Sequence, residues 1–231
     1  MNKFGQEPTV IDHFDMECPE MMAYLYLPIK MANKDFSWKS LPKRLSWLRN
    51  MIKSATEHEK GLGDGLRNKY IYVTAKHLYA TPDNPVNRPG WHGDGFGTND
   101  VNYIWCDVHP TLFAIQEFKD ISKDHQRSME QIKHQAKEEN VRDFGAKNLL
   151  RLTQYNIHRT PDIEVGCMRT FVKISISPFK YNLKGNSHNY KIDYNWNLYN
   201  RSELRNDPHK DGKDFLVEGT KPQDLEFMFW K

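Results

Sequence analysis

The spacing of apolar residues along this chain predicts more strand than helix. Over residues 41–59, Leu41, Leu45, Leu48, Ile52 and Ala55 step by four and three, the period of an amphipathic helix. Pro42 sits near its first turn, where a missing N–H is harmless, and glycines at 61, 63 and 65 end it. Residues 70–79, rich in Tyr, Ile and Val, predict a strand, and the apolar run 21–29 a shorter one. Two β-like blocks follow, 91–118 (broken by glycines at 93, 95 and 97) and 148–177. Residues 119–147 between them are polar and charged and predict an external helix plus loop. Further on, Tyr190, Ile192, Tyr194, Trp196 and Leu198 alternate strictly with polar residues, the pattern of a half-buried strand. Residues 200–223 predict a polar loop and 225–230 a last apolar segment.

The expected class is therefore mainly β with flanking helices, a double-sheet jelly roll or barrel with helices packed outside. No regular βαβ alternation is present, and the glycines match neither GxGxxG nor GxxxxGK[ST], so a Rossmann or P-loop enzyme is not supported. At 231 residues, one domain over 1–231 is expected, because a second full domain would be cramped. The chain is 38% hydrophobic but 13% aromatic, and disordered chains lack aromatics. No stretch approaches the roughly 20 apolar residues that span a bilayer, so no membrane partner is expected. The first residues show no apolar h-region of a secretory signal. Three widely spaced cysteines, Cys18, Cys106 and Cys167, give neither a disulfide framework nor a CxxC zinc site, and a cytoplasmic location is expected. A net charge of +3 permits a nucleic-acid partner without arguing for one.

Candidate chemistry lies at Trp91-His92-Gly93-Asp94. Side chains two apart on a strand share a face, so an imidazole and a carboxylate there can converge on one ion. His158 ends the β-like run 150–158, and Arg169 follows eleven positions later. Two His and one carboxylate are the facial triad of non-haem Fe(II) oxygenases, and a guanidinium beyond them suits a carboxylate. HxD alone is weak. With 10 His and 17 Asp, chance gives about 0.7 such pairs and three occur, at His13/Asp15, His92/Asp94 and His209/Asp211. Only the set beginning at His92 combines order, spacing and strand context. Strand parity adds that Thr170, Val172, Ile174 and Ile176 share a greasy face suited to an outer helix, whereas Arg169, Phe171, Lys173 and Ser175 share a polar one suited to a cavity. The bland readings stand beside these: a turn at His92 and Asp94, an ordinary strand histidine at His158, and a structural partner such as Glu164 for Arg169.

The order His92, Asp94, His158, Arg169 resembles the Fe(II)/2-oxoglutarate-dependent dioxygenases, as do His158-Arg159-Thr160-Pro161 and Pro110-Thr111-Leu112-Phe113. The resemblance covers about residues 77–177, within a motif-bearing core of about 70–180 and with a C-terminal extension over 181–231. It implies a double-stranded β-helix (jelly roll, cupin-like). It implies Fe(II) held by His92, Asp94 and His158, with 2-oxoglutarate as cosubstrate, O₂ as oxidant and Arg169 on the far carboxylate. Tyr103 and Thr111 are further candidates for binding 2-oxoglutarate, with Tyr79 and Asn102 behind them, and Trp91 and Phe96 flank the ligands as pocket walls. The carboxylate of HxD favours hydroxylation or demethylation over halogenation.

The substrate stays open between a small molecule or amino acid, a protein side chain and a nucleobase. Tyr190, Tyr194, Trp196, Tyr199, Arg201 and Arg205 offer rings and cations for nucleic acid, against a core-facing role for the rings. Two arginines well after the distal His, typical of the demethylase branch, are absent. The alternatives are a non-catalytic jelly-roll module binding nucleic acid or carbohydrate, and a cupin-like metal enzyme without 2-oxoglutarate.

Overall fold

A computed structural model of the chain describes residues 3–63, 65–122 and 124–200. Its strands are β1 (Thr9–His13), β2 (Met22–Lys30), β3 (Tyr70–Ala80), β4 (Val101–Cys106), β5 (Leu112–Ala114), β6 (Val141–Asp143), β7 (Asn148–Leu152), β8 (His158–Arg159) and β9 (Cys167–Ser177). Its α-helices are α1 (Arg49–Gly61) and α2 (His125–Gln135). The strands form two antiparallel sheets, a larger one in the order β1-β7-β4-β9-β3-β2 and a smaller one in the order β6-β5-β8. The mainly β class with flanking helices is thus observed.

β3 and β9 pair without interruption from Tyr70↔Ser177 to Ala80↔Cys167. An unbroken register keeps each side chain on one face of the sheet. Val172, Ile174 and Ile176 face outward opposite Ala75, Val73 and Ile71, and Leu45, Leu48, Met51, Ile52 and Ala55 cover them. The parity expected for β9 and the packing of the helical stripe upon it are both present. The stripe does not form one helix, however. After Pro42 it is a 3₁₀ helix, Lys43–Leu48, tightened by the Leu45 amide donating to the Pro42 carbonyl at 2.9 Å, and α1 begins only at Arg49.

The inner face of the larger sheet meets the smaller one. Ile104, Leu150 and Leu152 pack there on Phe113. The segment expected to be one strand over 150–158 is two. The Asn156 side chain accepts from the Thr153 amide at 2.7 Å, a local turn that ends β7 and passes the chain to β8 in the other sheet. Residues 119–147 do contain a helix, capped where the Asp124 side chain accepts from the Arg127 amide at 2.7 Å. It is docked rather than fully solvated: Ile132 is buried with Phe118, Ile121, Trp91 and Ile157.

Residues 190–198 form no strand, because no neighbour offers them a ladder. Their alternation serves instead to lay Ile192, Tyr194 and Trp196 against Tyr70 and Tyr72, leaving Tyr190 91% exposed. The segments expected over 200–223 and 225–230, with Arg201 and Arg205, lie outside the described residues apart from Asn200. No helix among the described residues is long and apolar enough to cross a membrane, and the three cysteines are free.

Candidate metal centre

His92 precedes β4 in a loop, and His158 opens β8. The His92 amide donates to the His158 carbonyl at 3.0 Å, and the His158 amide returns the bond at 2.9 Å. This reciprocal pair sets the two rings 4.6 Å apart. Gly93 passes so close to the next turn that a Cβ there would lie 2.5 Å from the Gln154 carbonyl oxygen. The loop can therefore press inward only with glycine, and Asp94 follows into the same space. Ligand atoms of His92, Asp94 and His158 all lie within 4.8 Å of one another.

Backbone carbonyls fix the state of both rings. His92 Nδ1 lies 2.8 Å from the Gly90 oxygen and His158 Nδ1 lies 2.9 Å from the Asn156 oxygen. A carbonyl only accepts, so each Nδ1 carries the hydrogen and each neutral ring offers a lone pair at Nε2. Burial, helped by the neighbouring His158, pushes His92 down to about 3, and burial also lowers His158. For Asp94, burial alone would favour the neutral acid. The Lys173 ammonium, which donates to it, outweighs burial and holds the carboxyl below its usual range. Lys173 Nζ lies 3.0 Å from Asp94 Oδ2 and 3.1 Å from the Tyr26 hydroxyl. Burial opposes its charge, but Asp94 and Tyr26 raise it above the ordinary lysine range. Two neutral imidazoles and one ionised carboxylate, with both rings oriented from behind, are a donor set that fits a divalent transition-metal ion.

The centre opens into a cavity of about 410 Å³. Thr111 and Phe96 line it, with Lys76, Lys173, Tyr26 and Ile104. Tyr103 does not. On β4 the inner positions are Asn102, Ile104 and Cys106, so Tyr103 faces α1, where its hydroxyl donates to Glu59 Oε1 at 2.8 Å. The structure thus does not bring Tyr103 together with His92, Asp94 and His158 in the cavity wall.

Arg169 has the predicted inward parity but is absent from the cavity wall. It is fully buried; Nε and Nη2 donate to the Val108 and His109 carbonyls, while Nη1 has no partner among the described residues. Its hydrogen bonds go to the 108–109 backbone rather than to Glu164. Asn102 Oδ1 accepts from Ser175 at 2.6 Å, Tyr79 is 56% exposed on the outer face, and Trp91 packs behind the centre with Ile157.

Three cavity residues were not singled out from the sequence. Lys173 shares Arg169's face, so parity already pointed to it. Lys76 is the one lysine or arginine of β3, just past its buried run 70–75 and directly opposite Phe171. Tyr26 sits where the β2–β3 register shifts, with φ of 47°, and no residue pattern announced that bulge.

No family model and no curated protein matches this chain. A solved structure described as "Non-heme monooxygenase, ThoJ-Ni complex" aligns with a TM-score of 0.31 and 14% identity, covering 58% of this chain and 54% of that one. The chain thus spans about half the length of that protein, and so loose a superposition assigns neither a fold nor an activity.

Proposed function

We propose that this protein is a non-haem Fe(II)- and 2-oxoglutarate-dependent oxygenase, built on a double-stranded β-helix, that hydroxylates a C–H bond of a small molecule. The convergence of His92, Asp94 and His158, with both Nδ1 atoms tied to carbonyls, carries this reading. Iron held there supplies the oxidising chemistry with O₂, and the chain supplies placement and exclusion of water.

The chain's own part begins with charge. Lys76 Nζ donates to the Val86 carbonyl at 2.9 Å and to Asn87 Oδ1 at 3.1 Å. It forms no ion pair among the described residues. An ammonium on the cavity wall without a carboxylate suits the far carboxylate of 2-oxoglutarate, and Lys76 takes the role that the family resemblance implies for Arg169. Thr111, which is 5% exposed, adds a hydroxyl to the same cavity. The apolar Ile104 and Phe171 line the cavity as well.

Purified protein supplied with Fe(II), ascorbate and 2-oxoglutarate is expected to release succinate, and His92→Ala to abolish this. Absence of succinate, together with no binding of Mn(II), overturns the reading. A second reading, a metal enzyme that does not use 2-oxoglutarate, is favoured by the engagement of Arg169 with backbone carbonyls. It predicts tight Mn(II) binding with no affinity for 2-oxoglutarate.

A further inference from the structure

The cavity carries more positive charge than the metal centre and its oxoacid use. Its wall presents three lysines, Lys76, Lys173 and Lys180, against two carboxylates, Asp94 and Asp100. Asp94 neutralises Lys173 at 3.0 Å. Asp100 Oδ2 accepts from the Tyr181 hydroxyl at 2.6 Å and forms no ion pair with Lys180 among the described residues. On the oxygenase reading, a divalent ion adds two positive charges and the two carboxylates of 2-oxoglutarate cancel them. The surplus of the walls remains. A substrate entering last meets a cationic chamber of low polarity, where a negative group is favoured and an ammonium is repelled.

Lys180 is the cation placed to meet that group. The Tyr72 hydroxyl donates to the Phe179 carbonyl at 2.8 Å and accepts from the Tyr181 amide at 3.0 Å. One buried phenol therefore pins the backbone on both sides of Lys180, and Tyr72 is itself stacked on Tyr181 at 4.3 Å between centroids. Lys180 is half-buried and takes part in no ion pair among the described residues. Beside it Tyr26, Phe179 and Leu183 give the cavity an apolar wall for a carbon skeleton. A cation on a rigid support next to an apolar surface is how a site fixes the orientation of a small ligand.

We propose that the substrate is a small organic anion bearing a carboxylate or a phosphate, and that Lys180 binds that group. This rests on the oxygenase reading and narrows it to metabolite-sized anions. The volume of about 410 Å³ suits such a molecule alongside 2-oxoglutarate.

The test uses the purified chain loaded with Mn(II) and N-oxalylglycine, a stable stand-in for 2-oxoglutarate. Ligand-observed NMR screens amino acids, dicarboxylic acids, nucleoside monophosphates and sugar phosphates, each beside its neutral amide, nucleoside or sugar. Mn(II) broadens the resonances of any molecule seated in the cavity, so the readout is binding. An anionic member is expected to bind at least about tenfold tighter than its neutral counterpart, and the arm that responds assigns carboxylate or phosphate. Lys180→Met is expected to lose that preference and Lys180→Arg to keep it, with Mn(II) and N-oxalylglycine affinity unchanged in both. Equal binding of the neutral members, no binding by any anion, or wild-type binding in Lys180→Met overturns the proposal. Failure of the wild type to take up Mn(II) or N-oxalylglycine overturns the oxygenase reading itself, and this proposal falls with it.

Discussion

His92 and His158 exchange both of their backbone hydrogen bonds, at 3.0 and 2.9 Å, across the join between the loop after β3 and the first residue of β8. The two imidazoles are therefore placed by main chain, before any ligand contributes. Displacing one strand displaces both ligands together.

That coupling makes Gly93 a sensitive position. A methyl group there would meet the Gln154 carbonyl oxygen at 2.5 Å, and that oxygen belongs to the turn leading into His158. Backbone cannot swing aside as a side chain can. Gly93→Ala is expected to weaken Mn(II) binding tenfold or more, about 1.4 kcal/mol or above, by forcing the two histidines apart. Calorimetric titration with Mn(II) measures it. An unchanged affinity would mean that the loop yields freely.

Asp94 and Lys173 form the second constraint. Their 3.0 Å contact is largely buried, with side chains 20% and 10% exposed. Removing one partner strands the other charge, a loss of about 3 kcal/mol. Asp94→Asn is expected to lower the stability of the metal-free protein by that order, and adding Lys173→Met to recover much of it. Urea denaturation of the two single variants and the double variant reads the coupling.

The same neutral rings predict a pH dependence for the metal-free protein. Both histidines have their folded pKa depressed, His92 to about 3, with burial the leading cause. A base whose folded pKa is depressed contributes stability that is present above its unfolded pKa and lost as pH falls, because only the unfolded chain takes up the proton. The window runs from about 6.5 down to about 3 for His92. At pH 5, His92 alone costs about 2 kcal/mol relative to pH 8. Denaturant midpoints compared at these two pH values check it, and His92→Gln is expected to flatten part of the slope.

Much of this was legible in the chain. Alternation alone separated the outward Val172, Ile174 and Ile176 from the inward Phe171 and Lys173, because a fully paired strand has only two faces. The triad was legible from order and context. The long-range partners were not legible. Nothing near Arg169 announces that the 108–109 carbonyls will absorb its guanidinium, since a loop's backbone has no sequence signature. The strict alternation at 190–198 was a true packing signal but not a strand signal. Aromatic burial on Tyr70 and Tyr72 needs a facing surface, whereas a strand also needs a neighbour for its amides. The face of Tyr103 was not legible for a simpler reason: alternation alone does not set the register of β4, and one residue decides the face.

Lys76 should behave differently from Arg169. Burial, followed by repulsion from Lys173 and Arg169, pushes its ammonium down to about 8. A bound carboxylate needs the protonated form, so N-oxalylglycine affinity is expected to fall as pH rises from 7 to 9. Lys76→Met is expected to lose that affinity tenfold or more while retaining Mn(II), and to lose the pH dependence with it. Titration of the Mn(II)-loaded protein at both pH values separates the two effects.

Tyr103 supplies the matching control on the opposite face of the sheet. Its hydroxyl donates to Glu59 Oε1 at 2.8 Å and lies 2.8 Å from His58 Nδ1, and Glu59 also accepts from Arg151 Nε at 2.6 Å. This cluster ties α1 to β4 and β7 beneath the apolar contacts of the helix. Tyr103→Phe removes the hydrogen bonds to the buried Glu59 and to His58 and leaves the ring in place, a cost of about 1–3 kcal/mol. Because the residue lies off the cavity, Mn(II) and N-oxalylglycine affinities are expected to stay within twofold of wild type while the urea midpoint falls. A variant with wild-type stability and impaired N-oxalylglycine binding would return Tyr103 to the cosubstrate site and contradict the face that the β4 register assigns to it.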